Sequence, residues 1–150
     1  MEESSVDDVI QCEDRIVSQW REVSADEQHQ LRGQFDEILR PLGFEISLAV
    51  IRRANSIALY FICLTLSAVM GLRDQWRSGQ LRDIVQSLFT FLSAATRPVR
   101  VKRLTWPLTD YERSLNFFSS VQGKRDIVTH IVYFSSVLYL LVNGLFSAQR

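Results

Sequence analysis

The apolar side chains change their spacing twice between residues 44 and 106, and this change restricts the fold more than any other feature. Over residues 44–50, apolar side chains alternate with polar or small ones. This pattern predicts a strand, because successive side chains of a strand point to opposite faces. A polar stretch at 52–56 has the composition of a turn, and an unbroken apolar run follows at 57–64. Together they predict a β-hairpin whose second strand is central and covered on both faces.

Helical spacing returns over residues 68–95, where Gly79 predicts a kink or a break between two helices. Residues 99–106 alternate again at their start, with Val99 and Val101 facing inward, and predict a third strand. We expect this strand at the edge of the sheet because it follows Pro98, and proline cannot donate to a central ladder.

Helices are also predicted on both sides of this region. Residues 6–22 have the apolar spacing of an amphipathic helix. The capping-box pattern of residues 24–27 predicts the start of a second helix, which proline and glycine end by residue 43. A similar pattern at 109–112 predicts a short helix. The sequence therefore predicts an α+β fold, in which the hairpin and one further strand form a small antiparallel sheet packed on helices.

Charge is distributed unevenly, although the formal net charge is zero. Residues 1–45 carry 12 acidic and 4 basic side chains, whereas residues 46–125 carry 4 acidic and 12 basic ones. Either the acidic third folds against the basic middle, or each binds a different partner. We favour the first interpretation, because the acidic third contains recurring apolar residues that need a surface to bury them. The two cysteines are too few for a disulfide framework and are typical of a reducing compartment.

The C-terminal segment, residues 126–150, predicts a long apolar helix, separate from an interaction domain over residues 1–125. Its residues 127–148 contain no charge, and as a helix they would span about 30 Å, the thickness of a bilayer core. Lys124 and Arg125 precede it, so the preceding domain is expected to lie on the cytoplasmic side. The polar side chains expected to associate with neighbouring helices are His130, Ser135, Ser136 and Asn143.

Two alternatives to a single membrane anchor remain open at this level. In one, the C-terminal helix is buried in the core or in an interface between copies, and the chain oligomerises through it. In the other, the uncharged residues 57–72 form a second membrane helix, which gives a two-helix integral membrane protein.

No combination of residues predicts catalysis, so we do not expect an enzyme. His29 and His130 are far apart in the sequence, and Cys63 lies in the apolar run with no base near it. The sequence contains neither a metal-ligand spacing nor a glycine loop for phosphate, so no cofactor or metal is expected. The basic residues at 97–103 lack interleaved aromatic residues, so nucleic acid is not an expected partner.

Residues 43–121 resemble the N-terminal domain of the TNF-receptor-associated death-domain adaptor, TRADD. Four segments carry the resemblance in the same order: ISLAVIRRANSIALYFICL as a hairpin, LRDQWRSGQLRDIVQSLFTFL as a helix, RPVRVKRL as a strand and TDYERSLNFF as a closing helix. The sequence departs from the family before the matched region, where acidic helices replace a strand with aromatic contact residues, and after it, where an apolar segment follows instead of a death domain.

The resemblance implies an antiparallel sheet with helices on one side and an exposed face that binds the C-terminal domain of TRAF adaptor proteins. By alternation, the exposed face would include Arg53, Tyr60, Arg100 and Lys102. The expected function is therefore a membrane-tethered signalling adaptor of the cell-death or innate-immune type, which recruits a protein partner and can form homo-oligomers.

Overall fold

The computed structural model describes residues 6–94, 99–120 and 130–140. Within these residues the fold is α+β, as the sequence predicted, with five α-helices and a four-stranded antiparallel sheet. The elements in chain order are α1 (Val6–Ala25), α2 (Arg32–Leu39), a 3-10 helix (Arg40–Leu42), β1 (Ile46–Arg53), β2 (Ile57–Cys63), α3 (Leu66–Ser78), α4 (Gln80–Ser93), β3 (Val99–Thr105), α5 (Leu108–Ser120) and β4 (His130–Leu140).

The predicted hairpin, the paired helices and the third strand are all present. The strand order is β1-β2-β4-β3, so β2 is central and β3 is an edge strand, as the sequence predicted. Gly79 ends α3 and caps α4 with a φ of 91°, a left-handed conformation that glycine adopts without steric cost. The second helix begins later than predicted, because Ser24 lies within α1, where its hydroxyl donates to the Arg21 carbonyl oxygen instead of capping α2.

The prediction of a long apolar helix over residues 126–150 is wrong for residues 130–140, which form β4. This strand lies between β2 and β3 and pairs with both. Residues 57–63 form β2, so the two-helix membrane alternative is also wrong. The alternative in which copies associate through a C-terminal helix has no support either, because residues 130–140 form a strand. In the part of the chain that the structure describes, no helix has the length and apolar character needed to cross a membrane.

A single hydrophobic core lies between the helices and one face of the sheet. On β2 the side chains at 57, 59, 61 and 63 are buried on this side, and on β4 those at 132, 134 and 136 are buried. Phe61 and Phe134 meet edge to face, with ring centroids 5.7 Å apart. The opposite face retains partly exposed side chains, Tyr60 and Ile62 of β2 among them, so the prediction that β2 is covered on both faces is wrong. We call this face the open face.

The fifth helix closes the edge of β4 where β3 stops. Thr105, the last residue of β3, pairs with Ser135, so the preceding residues of β4 extend beyond β3. Here the buried Asp110 carboxylate of α5 accepts from the Tyr133 backbone N–H (3.0 Å) and from the Trp106 indole N–H (2.8 Å). One side chain thus joins the end of β3, α5 and the uncovered edge of β4.

Candidate interaction surface

An apolar and aromatic patch occupies one end of the open face. The strand register places Val50 beside Tyr60 and Tyr60 beside Tyr133, and it places Ile62 beside Ile131 in the next row. We call these five side chains the sheet-face patch. Ile131 is 53% exposed, although it lies on a central strand. An apolar side chain left in solvent forgoes the hydrophobic free energy of its burial. This face is therefore a candidate for contact with a partner that would bury it.

The two tyrosines form the centre of the patch. Their ring centroids are 5.2 Å apart, and the rings are tilted against each other. Arg52 lies beside them, with its guanidinium carbon 5.1 Å from the Tyr60 ring centroid and a guanidinium N–H donating to the Tyr60 hydroxyl at 2.9 Å. These contacts restrict the Tyr60 side chain before any partner binds.

A shallow cavity of about 400 Å³ lies between the patch and the N-terminal turn of α5. Tyr60, Ile131 and Tyr133 line it on the side of the sheet, and Thr109 and Arg113 line it on the side of the helix. The cavity therefore has an apolar and aromatic floor beside Arg113, whose guanidinium lies 3.7 Å from the Asp110 carboxylate, which also lines the cavity. Such a shape can receive an anchoring side chain from another protein, because binding energy concentrates in apolar pockets that exclude water.

The sequence predicted that Arg53, Tyr60, Arg100 and Lys102 share the exposed face. The strand register places Tyr60 and Arg100 there. Arg53 lies on the covered side, because a bulge at Ala49 reverses the alternation in the second half of β1. Lys102 is exposed at a second bulge, between Val101 and Arg103, so Arg103 takes the next outward position instead.

Arg53 has a structural role on the covered side. Its guanidinium forms an ion pair with the buried Glu13 of α1, whose other carboxylate oxygen accepts from the Ser56 hydroxyl at 2.6 Å. Asp14 lies 3.7 Å from the same guanidinium. These contacts join the acidic first helix to the hairpin. The predicted attraction between the acidic third and the basic middle is observed in these contacts of Arg53 with Glu13 and Asp14.

The residues predicted to associate through the C-terminal helix lie instead on a strand, and they fall on both of its faces. His130 and Ser136 point to the covered side, and the Ser136 hydroxyl donates to the Ile57 carbonyl oxygen at 3.0 Å. Ser135 points to the open face. Asn143 lies outside the described residues.

His130 is held in an aromatic environment at the start of β4. Its ring centroid is 4.9 Å from that of Phe117 and 6.1 Å from that of Phe118. Its Nε2 atom is buried with no hydrogen-bond partner among the described residues. Burial lowers the pKa of His130; the nearby Asp110 acts in the opposite direction, and Arg113 acts in the same direction as burial.

We expect the free energy of unfolding to fall as the pH drops below about 6.5, the pKa of an unfolded histidine. The folded chain binds a proton at His130 less readily than the unfolded chain does. The contribution of His130 to stability is therefore complete above about pH 6.5, and it is lost as the pH falls toward the lowered pKa of the folded state. Urea unfolding between about pH 7.5 and about pH 5.5, one unit on either side of the ordinary histidine pKa, measures the slope of the free energy of unfolding against pH. His130→Phe should flatten the slope, because it removes the titrating imidazole.

The structure places Cys63 away from the sheet-face patch. Cys63 is fully buried on the covered side, and burial raises the pKa of its thiol to about 12, so the reactive thiolate is suppressed. Among the described residues, no group of three histidine, cysteine or carboxylate side chains could hold a metal ion. The patch instead supplies aromatic and aliphatic contact area, a tyrosine hydroxyl and neighbouring cations.

Sequence reasoning missed Ile131, Tyr133, Ile62 and Arg52. The first two were assigned to a helix, although β-branched and aromatic residues are concentrated at 131–134, and this concentration favours a strand. Arg52 was missed because the bulge in β1 cannot be found from alternation alone.

Comparison with known proteins adds no family to this description: no family model matches the chain, and neither the curated proteins nor the solved structures contain a match.

Proposed function

We propose that this protein is a non-enzymatic signalling adaptor of the cell-death or innate-immune type, which binds a folded protein partner through the sheet-face patch. The observation that carries the proposal is the exposure of Ile131 beside a preorganised pair of tyrosines on a central strand. Tyrosine and isoleucine side chains in such a cluster supply the apolar core of an interface, and neighbouring arginines supply its polar rim.

A TRAF-type C-terminal domain is the partner class we propose. This choice rests on the sequence resemblance of residues 43–121 to the TRADD N-terminal domain, whose exposed sheet face binds such domains. Arg52 and Arg113 border the patch from opposite sides, since one is on β1 and the other on α5. The complementary surface should therefore combine an apolar centre with acidic or hydrogen-bond-accepting groups at its margin.

The test is direct binding of the purified full chain to a purified TRAF-type C-terminal domain, measured by isothermal titration calorimetry. Ile131→Lys should weaken the affinity at least about tenfold, because it places a charge at the centre of a desolvated interface. Tyr60→Ala should also weaken it, since it removes both the ring contact and the Arg52 hydrogen bond.

Met70→Lys on α3 is the matched control. Met70 is 51% exposed, close to the exposure of Ile131, but it lies on a helix away from the open face. Its variant should bind like the wild type, and all variants should retain the wild-type circular dichroism spectrum. Failure of the wild-type chain to bind would refute this partner class, and unchanged binding by the folded Ile131→Lys variant would refute the patch as its site.

A further inference from the structure

A second surface is strongly basic and lies apart from the sheet-face patch. Four cationic side chains surround one cleft of about 530 Å³ between the α3–α4 turn and the edge strand β3. Arg77 lies on α3 and Arg82 lies on α4, whereas Lys102 and Arg103 lie on β3. We call this surface the basic cleft.

The cleft has a rigid construction. The Trp76 indole N–H donates to the Leu104 carbonyl oxygen at 2.8 Å, which fixes the end of α3 against β3. The same ring packs edge to face on Trp106, with the centroids 6.0 Å apart. Gly79 then reverses the chain into α4 in a left-handed conformation. The cationic side chains are therefore attached to backbone segments whose separation is fixed by hydrogen bonding and aromatic packing.

The three arginines of the basic cleft have no ion-pair partner in the described part of the chain. Among the described residues no carboxylate lines the cleft, and Arg77, Arg82 and Arg103 form no ion pair. Asp83 lines a smaller adjoining cleft with Arg82 and Arg100. Like charges held close together repel each other, so the arrangement favours the binding of an anionic group.

An acidic surface of the same chain complements this cleft. Glu22, near the end of α1, and Asp26 and Glu27, which follow it, are exposed and form no ion pair with a described residue. The attraction between the acidic third and the basic middle is met within one molecule by Arg53, whose partners are Glu13 and Asp14. The three acidic residues at the end of α1 and the three arginines of the basic cleft therefore form no ion pair with a described residue.

We propose that the basic cleft of one copy binds the acidic end of α1 of a second copy, which gives a head-to-tail self-association. The two surfaces are different patches of the same chain, so the contact is heterologous and can continue into a ring or a filament. Nucleic acid fits the cleft less well, because Trp76, the aromatic residue that lines it, is engaged with Leu104 and Trp106 and cannot stack on a base.

Sedimentation velocity of the full chain over a range of concentrations tests this inference. We expect concentration-dependent association at low salt and a monomer at about 1 M salt, where the screening length falls to about 3 Å. Arg82→Glu in the cleft and Glu22→Lys on α1 should each weaken association at least about tenfold. An equimolar mixture of the two variants should associate again, because each supplies the surface that the other lacks.

Arg15→Glu is the matched control, since it makes the same charge change at an exposed arginine of α1 outside both surfaces. It should associate like the wild type. A wild-type chain that stays monomeric at low salt would overturn the proposal, and so would association that Arg82→Glu leaves unchanged. Binding of a short single-stranded DNA by the cleft, lost in Arg82→Glu, together with a monomeric chain would replace the proposal with a nucleic-acid site. None of these measurements involves the TRAF-type domain.

Discussion

Replacing Phe134 with alanine is expected to lower the free energy of unfolding by about 3–5 kcal/mol, the usual cost of removing a buried aromatic ring. Phe134 is fully buried on the covered side of β4, and its ring contacts those of Phe61 and Trp106 at centroid distances of 5.7 and 4.8 Å. Urea unfolding followed by tryptophan fluorescence and by far-ultraviolet circular dichroism measures the change. The loss should be large enough to leave a marginal domain partly unfolded.

The neighbouring residues of β4 provide the controls. Ser135 points to the open face, so Ser135→Ala should change the free energy of unfolding by less than about 0.5 kcal/mol. Val132→Ala should be costly and Ile131→Ala mild, because their side chains fall on opposite faces. A large loss at every second position is the signature of a strand. Losses that recur every three or four positions would instead indicate a helix and would contradict the placement of β4.

Local spacing was sufficient to predict the hairpin, the α3–α4 pair and β3. In these segments the period is clear and the boundaries carry strong local signals, such as Gly79 in its left-handed conformation and Pro98 before β3. The α2 start was misplaced for a local reason as well. Ser24 has the composition of a cap, but the first helix continues through it, since apolar contacts of Val23 with the core extend that helix.

The strand β4 could not be recognised from periodicity. β4 pairs with β2 over residues 130–136 and with β3 from Ser135 onward, and residues 130–140 form a nearly continuous apolar run in which hydrophobicity does not alternate from face to face. The absence of charge over residues 127–148 then suggested a membrane helix by length alone. The pairing of β2 and β4 joins residues 67 to 79 positions apart, and no local pattern contains that information.

The candidate site was predicted only in part for a related reason. Tyr60 and Arg100 were placed correctly, because β2 and the first residues of β3 follow strict alternation. Bulges at Ala49 and Lys102 each shift the register by one residue and reverse the faces beyond them. As a result, Arg52 rather than Arg53 borders the patch. Both bulges occur on the outer strands of the sheet, where bulges are common, and alternation in the sequence does not reveal them.

Removal of the Asp110 carboxylate is the second change with a large expected effect. Asp110→Ala should lower the free energy of unfolding by about 3–5 kcal/mol, because hydrogen bonds to a charged acceptor contribute about 1.5–3 kcal/mol each and two buried donors lose their acceptor. The donors are the Trp106 indole N–H and the Tyr133 backbone N–H. The Arg113 ion pair adds little, since that arginine is largely exposed and its nitrogen is 3.7 Å from the carboxylate.

Asp110→Asn separates the hydrogen bonds from the charge. The asparagine carbonyl oxygen has two lone pairs and can accept from both donors, so this variant should lose only about 1 kcal/mol. Glu112→Ala, an exposed neighbour on the same helix, should have no measurable effect. Hydrogen exchange should show faster exchange of the Tyr133 amide in Asp110→Ala than in Asp110→Asn. Equal losses in the two variants would mean that Asp110 acts through its charge, and that α5 does not close the edge of β4 by hydrogen bonding.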